Sequence, residues 1–535
     1  MDRPIVTVKQ GKLQGIFEEN VLGSRYLSFK GIPFAAPPMH GLRFKDPEPP
    51  AHWEGIRDAS KNAGDICAQM NEMTGEVIGG EDCLYLNIYV PDDIYRKTGN
   101  PVMVWIHGGG YLWGSGNDTN VRPDYLLTKG VILVAISYRL GAFGFLNLGH
   151  EVASGNQGLK DQVAALKWIK KNIDVFGGDP NNITVFGVSA GSTSTHLLTL
   201  SPLSKGLFQK AILQSGVATC DWATIRNQPE ANSFKLASKL GNDSKDPKTI
   251  VEFLRTKSFA EIVQAQYTVL TPEMARTLFV PFGPTIDDKA KTPFLPCPLS
   301  QLLDGGNNIP IMIGATSDEY IFFLRDRYLL IDISENNLKT MYADLPLFVE
   351  NFTNSKNSSK IERLTKQVKE KYFNDKSEFT ADSIPSIIRF LSDLHFNIPI
   401  EDFVDMRRKR KHAPTYFYKF SYIGDQMTLT KVLGNKLTGT SHTDDMSYLF
   451  YQPSCKANNP APPAINTKDR KILEILTTMW TNFAKTGHPT PVLDQYVTTS
   501  WTPATVNFFN YLDINDDLQL LTITNYDNTL AKEVE

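Results

Sequence analysis

Short apolar runs rich in β-branched residues alternate with helical patterns through the first half of the chain. One strand pattern covers Val102–Ile106, a second covers Val131–Ser137, and a helical pattern follows over Leu159–Val175. A further strand, Ile183–Phe186, leads directly towards a helix that starts near Ser192. Strands that alternate with helices pair in parallel and are covered by helices on both faces. The alternation therefore predicts an α/β fold with a mostly parallel central sheet.

Later strand patterns continue this series, and two long helix-rich segments interrupt it. The later patterns are Ala211–Leu213, Ile309–Ile313 and Thr415–Phe420. Residues near 225–280 and 335–410 carry little β signal. Because these segments interrupt the sheet, we interpret residues 1–535 as one domain with two helical excursions. Open α/β sheets bind ligands at the carboxyl ends of their strands, so we expect the excursions to cover a site there.

Composition and charge exclude several classes of function. The chain is 41% hydrophobic and 21% charged, which is typical of a globular protein. A net charge of −3 gives no field that would attract nucleic acid or an anionic membrane surface. The longest apolar stretch, Val131 to Leu146, is interrupted by Arg139 and is too short to span a membrane. We therefore expect a small uncharged ligand, no nucleic-acid partner and no stable membrane anchor.

A strand, a Gly-x-Ser-x-Gly turn and a helix follow one another around Ser189. The β run Asn182–Phe186 precedes Gly187-Val188-Ser189-Ala190-Gly191, and helix-like sequence follows over Ser192–Leu200. Flanking glycines allow the sharp turn that raises a serine hydroxyl at a helix N-terminus. The bare pattern also arises by chance in ordinary strand-to-helix turns. The strand directly before it and the helix directly after it favour a nucleophilic serine.

Three glycines follow the strand that ends at Ile106, in the segment His107-Gly108-Gly109-Gly110. Glycines let the backbone approach a substrate closely. The N–H groups of Gly109 and Gly110, together with that of Ala190, can hold a developing oxyanion. The alternative is a flexible turn. Combined with the serine turn, the segment predicts an oxyanion hole and acyl-transfer chemistry.

The chain resembles the carboxylesterase/cholinesterase family, and within it the intracellular insect α-esterase-like carboxylesterases. The most specific segment is Glu81-Asp82-Cys83-Leu84-Tyr85-Leu86-Asn87-Ile88-Tyr89-Val90-Pro91, which is similar to the family's second signature, and the resemblance runs from about Lys9 to Trp480. It implies the α/β-hydrolase fold, a serine carboxylesterase acting on uncharged esters, lipid-like or xenobiotic, and a role in detoxification. It also implies inhibition by organophosphates or carbamates, and no metal or organic cofactor. Further segments that carry it are Gly41-Leu42-Arg43-Phe44, Asn156–Gln162 and Phe176–Pro180.

The resemblance also implies a carboxylate and a histidine that act with the serine. The family's acid lies in an Asp-Glu pair just after a strand, which selects Glu319 in Ser317-Asp318-Glu319-Tyr320 and leaves Asp318 as the alternative. The family's histidine loop resembles Gly439–Asp445, which selects His442. A carboxylate holds the imidazole in one tautomer and stabilises it once protonated. The implied triad is Ser189, Glu319 and His442.

The strand after the serine and the loop that follows it resemble the family's acyl-pocket segment. Ala211–Gly216 is followed by Cys220-Asp221-Trp222. The resemblance implies that Ser215 supports the triad from behind and that Trp222 forms a wall of the acyl pocket. A lone tryptophan after a strand is more often a core residue, so a purely structural role is the alternative.

The chain also departs from some members of the family. Cholinesterases carry Glu at the position of Val188, and no tryptophan lies between Cys67 and Cys83, which disfavours a quaternary ammonium substrate. Juvenile hormone esterases usually carry Gln at the position of Val188 but share the pattern Gly439-x-x-His442-x-x-Asp445, so a juvenile hormone esterase-like hydrolase stays an alternative. Cys67 and Cys83 resemble the family's first disulfide pair, and in a reducing compartment they would remain thiols.

Two other functions are compatible with the sequence. A non-catalytic binding member of the fold, or a sequestering protein that acylates quickly and turns over slowly, would share much of this sequence. The N-terminal residues lack the sections of a signal peptide, which favours a cytoplasmic protein; a secreted protein from which such a peptide had been removed is the alternative.

Overall fold

The fold is built on a mixed β-sheet of eleven strands. The structure, a computed structural model, describes residues 3–71, 74–119, 121–226, 228–277, 280–324, 334–434, 436–457, 459–524, 526 and 529–534. Its strands are β1 Ile5–Val8, β2 Gly11–Gln14, β3 Ile16–Glu19, β4 Arg25–Pro33, β5 Ile56–Asp58, β6 Gln69–Met70, β7 Val77–Ile78, β8 Tyr85–Pro91, β9 Asn100–Ile106, β10 Ile132–Ile136, β11 Asn147–His150, β12 Ala153–Ser154, β13 Gly178–Val188, β14 Lys210–Gln214, β15 Ile311–Thr316, β16 Thr415–Phe420, β17 Asn510–Ile514 and β18 Gln519–Thr522. Its α-helices are α1 Gly141–Phe145, α2 Gln157–Asn172, α3 Ala190–Leu200, α4 Pro229–Lys239, α5 Pro247–Thr256, α6 Phe259–Gln266, α7 Pro272–Arg276, α8 Leu299–Gly305, α9 Glu335–Ala343, α10 Leu345–Thr353, α11 Ser358–Phe373, α12 Ile384–Ser392, α13 Ile398–Lys409, α14 Leu429–Val432, α15 Met446–Leu449 and α16 Lys468–Thr486.

The centre of the large sheet is parallel and its edges are antiparallel. The strand order is β18-β17-β16-β15-β14-β13-β9-β10-β8-β4-β3. The neighbours from β10 to β17 pair in parallel. The outer pairs β10–β8, β8–β4, β4–β3 and β17–β18 are antiparallel. The mostly parallel α/β arrangement predicted from the sequence is therefore confirmed.

Strands β10, β14 and β15 are buried along their whole length because helices cover both faces of the sheet. One core cluster packs α2 and α3 against one face of the sheet, and a second packs α16 against the other. The carboxyl ends of the parallel strands are thereby fixed relative to one another, and loops leave from that edge.

Helices occupy both segments in which the sequence lacks a β signal. The first segment holds α4–α7, and the second holds α9–α13. A π-helical segment, Asp393–Asn397, joins α12 to α13. Among the described residues, no helix is long and apolar enough to cross a bilayer.

Candidate active site

Ser189 lies at the sharp turn between β13 and α3. Its backbone has φ 58° and ψ −126°, and α3 begins at the next residue. This conformation is strained for a residue with a side chain, and such strain concentrates at functional sites. The N–H of Ser189 donates to the carbonyl of Gln214 at 2.8 Å, which ties the turn to the neighbouring strand β14. The serine hydroxyl is thus presented at a fixed point at the carboxyl end of β13.

The glycines on either side of Ser189 are required by a close backbone approach. A Cβ atom on Gly187 would lie 2.5 Å from the carbonyl oxygen of Ile106, and one on Gly191 would lie 2.1 Å from that oxygen. Ile106 is the last residue of β9. The Gly-x-Ser-x-Gly pattern therefore lets the serine turn pack against the strand that leads into the glycine segment.

The glycine segment after β9 places N–H donors beside the serine. Gly109 has φ 107° and Gly110 has φ 58°, and within the described residues neither N–H donates to a protein acceptor. Ala190 is the first residue of α3, where N–H groups have no partner within the helix. A Cβ atom on Gly108 would lie 3.1 Å from the Cβ of Ser189, so the two segments are in contact. The three predicted oxyanion donors, Gly109, Gly110 and Ala190, lie on these two segments.

His107 supports the glycine segment. Its Nδ1 lies 2.8 Å from the carbonyl oxygen of Gly108, and its ring stacks on Tyr138 with 4.4 Å between centroids. Burial lowers the pKa of His107 to about 4, so the ring is neutral at pH 7. The side chain of Gln69 bonds both backbone groups of Gly114, beyond the glycines, at 2.8 and 2.9 Å. Gln69, which the sequence did not single out, lies on the loop closed by a Cys67–Cys83 disulfide.

Glu319 and His442 form a buried hydrogen-bonded pair. The Nδ1 of His442 bonds Oε2 of Glu319, whose side chain is fully buried. The other oxygen, Oε1, accepts from the hydroxyl of Ser215 at 2.6 Å and from the N–H of Thr316 at 2.7 Å. Because the carboxylate accepts from Nδ1–H, Nε2 is left as the basic nitrogen of the ring.

The alternative acid, Asp318, makes other contacts. Its Oδ2 accepts from the N–H of Thr440 at 3.2 Å, and its backbone N–H donates to the carbonyl of Thr440 at 2.9 Å. The geometry therefore favours Glu319 over Asp318 as the partner of His442.

The three predicted triad residues each come after a strand of the parallel part of the sheet. Ser189 follows β13, Glu319 follows β15 and His442 follows β16. Ser215 follows β14, which lies between β13 and β15, and has φ 56°. Parallel strands end at the same edge of a sheet. The sheet order thus brings the four residues to one edge, although they are spread over nearly half of the chain.

An aromatic wall adjoins His442 and the serine turn. The ring of Trp222 lies 5.5 Å from that of Phe396, which lies 5.0 Å from the ring of His442. Phe323 lies 5.4 Å from His442 and 5.8 Å from Phe396. A Cβ atom on Gly216 would lie 2.9 Å from the carbonyl oxygen of Ser189 and 3.2 Å from the ring of Trp222. Trp222 therefore approaches the serine turn itself and is only 5% exposed.

Phe323 and Phe396 were not predicted from the sequence. Phe323 could have been found from its position four residues after Glu319. Phe396 lies in the π-helical segment, far from every motif, and carries no signal in the sequence. Asp445, three residues after His442, was predicted only as part of the loop Gly439–Asp445. Burial raises its pKa to about 6, and the Gln214 side chain donates to it at 2.7 Å.

A cavity of about 260 Å³ lies apart from these residues. Asp393, Asn397 and Glu401 line it from the second helical excursion, and Phe417 and Lys419 line it from β16. None of the predicted triad or oxyanion residues lines it. Within the described ranges, no group of three or more His, Cys, Asp or Glu residues could hold a metal ion.

Hydrolysis by an activated serine needs a nucleophile, a base held by a carboxylate, and donors for the negative charge that develops on the carbonyl oxygen. The residues predicted for these roles lie at the carboxyl edge of the parallel part of the sheet. A serine on a strand-to-helix turn at that edge defines the serine hydrolases of the α/β-hydrolase fold.

Comparison with known proteins narrows this class. The chain belongs to the carboxylesterase family, whose model matches residues 2–533. Esterase E4 of Myzus persicae is 34% identical over 514 residues, which cover 94% of this chain and 89% of that protein. Juvenile hormone esterase of Tribolium castaneum is 37% identical over 520 residues, which cover 91% and 84%.

A solved structure supports the same assignment. Juvenile hormone esterase from Manduca sexta, with OTFP covalently attached, matches with a TM-score of 0.86 and 28% identity over 99% of this chain and 98% of that one. The family resemblance and the α/β-hydrolase fold predicted from the sequence are confirmed. The chain is a carboxylic-ester hydrolase.

Proposed function

We propose that the chain hydrolyses uncharged carboxylic esters, lipid-like or xenobiotic, through an acyl-enzyme formed on Ser189. The observation that carries the proposal is the strained Ser189 turn, packed against the glycine segment at the sheet edge where His442 bonds Glu319. The aromatic wall of Trp222, Phe396 and Phe323 supports an uncharged acyl group, because apolar surface is stabilised when it leaves water.

In the first half of the reaction, the Ser189 hydroxyl oxygen attacks the ester carbonyl carbon and its proton passes to Nε2 of His442. The carbonyl oxygen becomes an oxyanion, which accepts hydrogen bonds from the N–H groups of Gly109, Gly110 and Ala190. The bond to the alcohol oxygen then breaks, and His442 returns the proton to the departing alcohol. Glu319 stabilises the imidazolium between these two transfers.

In the second half, water replaces the alcohol. His442 takes a proton from the water, whose oxygen attacks the acyl carbon and forms a second oxyanion. The bond to Ser189 breaks, the serine oxygen recovers the proton from His442, and a carboxylic acid leaves. All atoms of ester and water are accounted for by the acid and the alcohol.

Covalent trapping tests the site. A dialkyl organophosphate should phosphorylate the protein one-to-one, because its phosphoryl oxygen resembles the oxyanion. Intact mass should show a single adduct, peptide mapping should place it on Ser189, and Ser189→Ala should show none. An adduct on another residue would refute the proposed nucleophile.

A pre-steady-state assay of alcohol release separates turnover from sequestration. With a chromogenic ester, a hydrolase continues at a steady rate after the first turnover, whereas a sequestering protein releases one equivalent of alcohol and stops. We expect steady turnover.

Substrate choice is tested with a panel of esters. We expect uncharged aryl and alkyl esters to be hydrolysed faster than a long-chain methyl ester of the juvenile hormone type. A kcat/KM that is highest for that methyl ester would instead support the juvenile hormone esterase alternative. The methyl ester belongs in the panel because the chain is similar to juvenile hormone esterases.

The roles in detoxification and in the cytoplasm stay predictions. Disulfides persist mainly in oxidising compartments, so the Cys67–Cys83 bond does not support the cytoplasmic location. Imaging the tagged full-length protein in cells would decide the location.

A further inference from the structure

Asp221 and His395 form a buried polar pair behind the aromatic wall. Their side chains are 4% and 1% exposed, and Nδ1 of His395 lies 3.0 Å and 2.9 Å from the two carboxylate oxygens. A carboxylate only accepts hydrogen bonds, so Nδ1 carries the hydrogen. Asp221 lies in the loop after β14 and His395 lies in the π-helical segment. The pair therefore joins the sheet edge to the second helical excursion.

The pair holds Trp222 at both ends. The Oδ1 of Asp221 accepts from the backbone N–H of Trp222 at 3.1 Å, and the carbonyl of His395 accepts from the indole N–H at 2.9 Å. The next residue after His395, Phe396, contacts both the Trp222 ring and the His442 ring. A shift of the pair would move both rings of the wall.

Packing fixes the imidazole of His395 without a second polar partner. Its ring stacks on Tyr320, with 5.5 Å between centroids, and meets the edge of Phe348 at 6.1 Å. Its Nε2 is buried and has no hydrogen-bond partner among the described residues. Apolar residues of similar volume could fill this space without the cost of burying polar groups. What the polar pair adds is orientation, since its hydrogen bonds have fixed directions.

We propose that Asp221 and His395 are a positioning pair that fixes Trp222 and Phe396 and thereby limits the size of the acyl group that reaches Ser189. This inference rests on the proposed function. The pair touches neither the ester nor the reacting atoms, so it acts on the discrimination between acyl groups more than on the chemical step. π-helical segments are frequent at functional sites, and this one places His395 and Phe396 side by side in the sequence.

The test is the ratio of kcat/KM for p-nitrophenyl pivalate to that for p-nitrophenyl butyrate. His395→Leu should raise this ratio about tenfold, because a wall that can move accepts the branched acid. His395→Asn keeps a donor near the position of Nδ1 and should leave the ratio within about twofold of the wild type.

Asp405→Asn is the matched control. Asp405 lies on α13, its side chain is 5% exposed, and it pairs with Arg408 and Lys409. It is nine residues from Phe396, or about 13 Å along a helix, so its loss should leave the ratio unchanged.

A double variant separates positioning from a general loss of stability. In a Trp222→Leu background, His395→Leu should change the ratio by less than it does in the wild type, because part of the pair's effect acts through Trp222. Should His395→Leu fail to fold, Asp221→Asn, which keeps one acceptor oxygen, should raise the ratio about threefold. A folded variant with an unchanged ratio, or effects that multiply in the double variant, would overturn the proposal.

Organophosphate titration of each variant keeps this result distinct from the proposed function. If every variant is labelled at Ser189 and the ratio does not move, the positioning pair alone is wrong. If the wild-type protein is not labelled at Ser189, the proposed function fails.

Discussion

Two regions meet at the candidate site, and they are built on different principles. At the sheet edge, backbone geometry determines where the serine turn and the glycine segment lie, through close approaches that only glycine permits. In the helical excursion, side-chain packing determines where Phe396 and His395 lie. From this contrast we propose that the chemistry depends on the first region, and that the choice of acyl group depends on the second region together with Trp222, which packs against it.

The largest effect is expected from substitutions that remove a catalytic group at the sheet edge and leave the aromatic wall intact. Ser189→Ala should lower kcat by roughly 10⁴–10⁶-fold, because the nucleophile and its base act as a unit. His442→Ala should lower kcat to a similar extent. Steady-state and single-turnover assays with a chromogenic ester measure it. A Ser189→Ala protein that keeps more than about a tenth of the wild-type rate would show that another residue is the nucleophile.

A backbone clash in the glycine segment should lower kcat less than the loss of the nucleophile does. A Cβ atom at residue 108 would lie 2.7 Å from the carbonyl oxygen of Val188, so Gly108→Ala must displace either the glycine segment or the serine turn. Small misplacements of catalytic groups cost about 10²-fold, and we expect a fall in kcat of that order. Gly305→Ala is the control, because a Cβ atom there meets nothing within 4 Å. Equal rates for the two variants would mean that backbone placement does not limit the reaction.

The sheet edge could be predicted from the sequence because its signals are local. Gly187, Gly191 and the three glycines after β9 stand in short patterns whose geometry follows from the patterns themselves. Glu319 and His442 came from the family resemblance, since spacing along the chain does not place a residue beyond a given strand.

The wall and the antiparallel edges could not be predicted in the same way. Phe396 becomes a neighbour of His442 only through tertiary packing of a helix that is distant in sequence. Strand β4 was missed because Ser28 and Lys30 interrupt its apolar pattern. Both side chains bond Glu18 of the paired strand β3, at 2.5 and 3.0 Å, so their burial depends on a partner that the pattern does not show.

A change in the wall should alter selectivity and leave the chemistry in place. Trp222→Leu removes a large rigid ring, so kcat/KM for esters of bulky or branched acids should rise relative to butyrate esters by about 10–200-fold. The ratio is measured within one protein, so a loss of stability from the cavity largely cancels. If the ratio changes with the alcohol instead of the acid, Trp222 belongs to a different part of the site.

The smallest expected effect is a change in thermal stability at Glu401, on the side of the second helical excursion that faces away from the aromatic wall. Glu401 lines the separate cavity, where burial and the neighbouring Asp393 carboxylate raise its pKa to about 7, against the opposing effect of Lys419 and Lys371. Because this pKa is higher in the folded than in the unfolded chain, ionisation costs stability as the pH rises from the ordinary value of 4.5 to about 7, and the cost is complete above that. Glu401→Gln removes the cost. Its Tm should exceed that of the wild type by about 1–2 °C at pH 8 and equal it at pH 4.

An exposed carboxylate with the opposite shift is the control for this prediction. The Lys339 side chain donates to Glu335 and lowers the pKa of that carboxyl group, so Glu335→Gln should lose a little stability at pH 8 and none below its pKa. Thermal unfolding at the two pH values measures both variants. Because Glu401 faces the cavity and not the aromatic wall, its substitution should leave the ratio of kcat/KM for branched and linear acids unchanged. A changed ratio would mean that the cavity at Glu401 is coupled to the aromatic wall. The region that selects the acyl group would then include the residues that line the cavity.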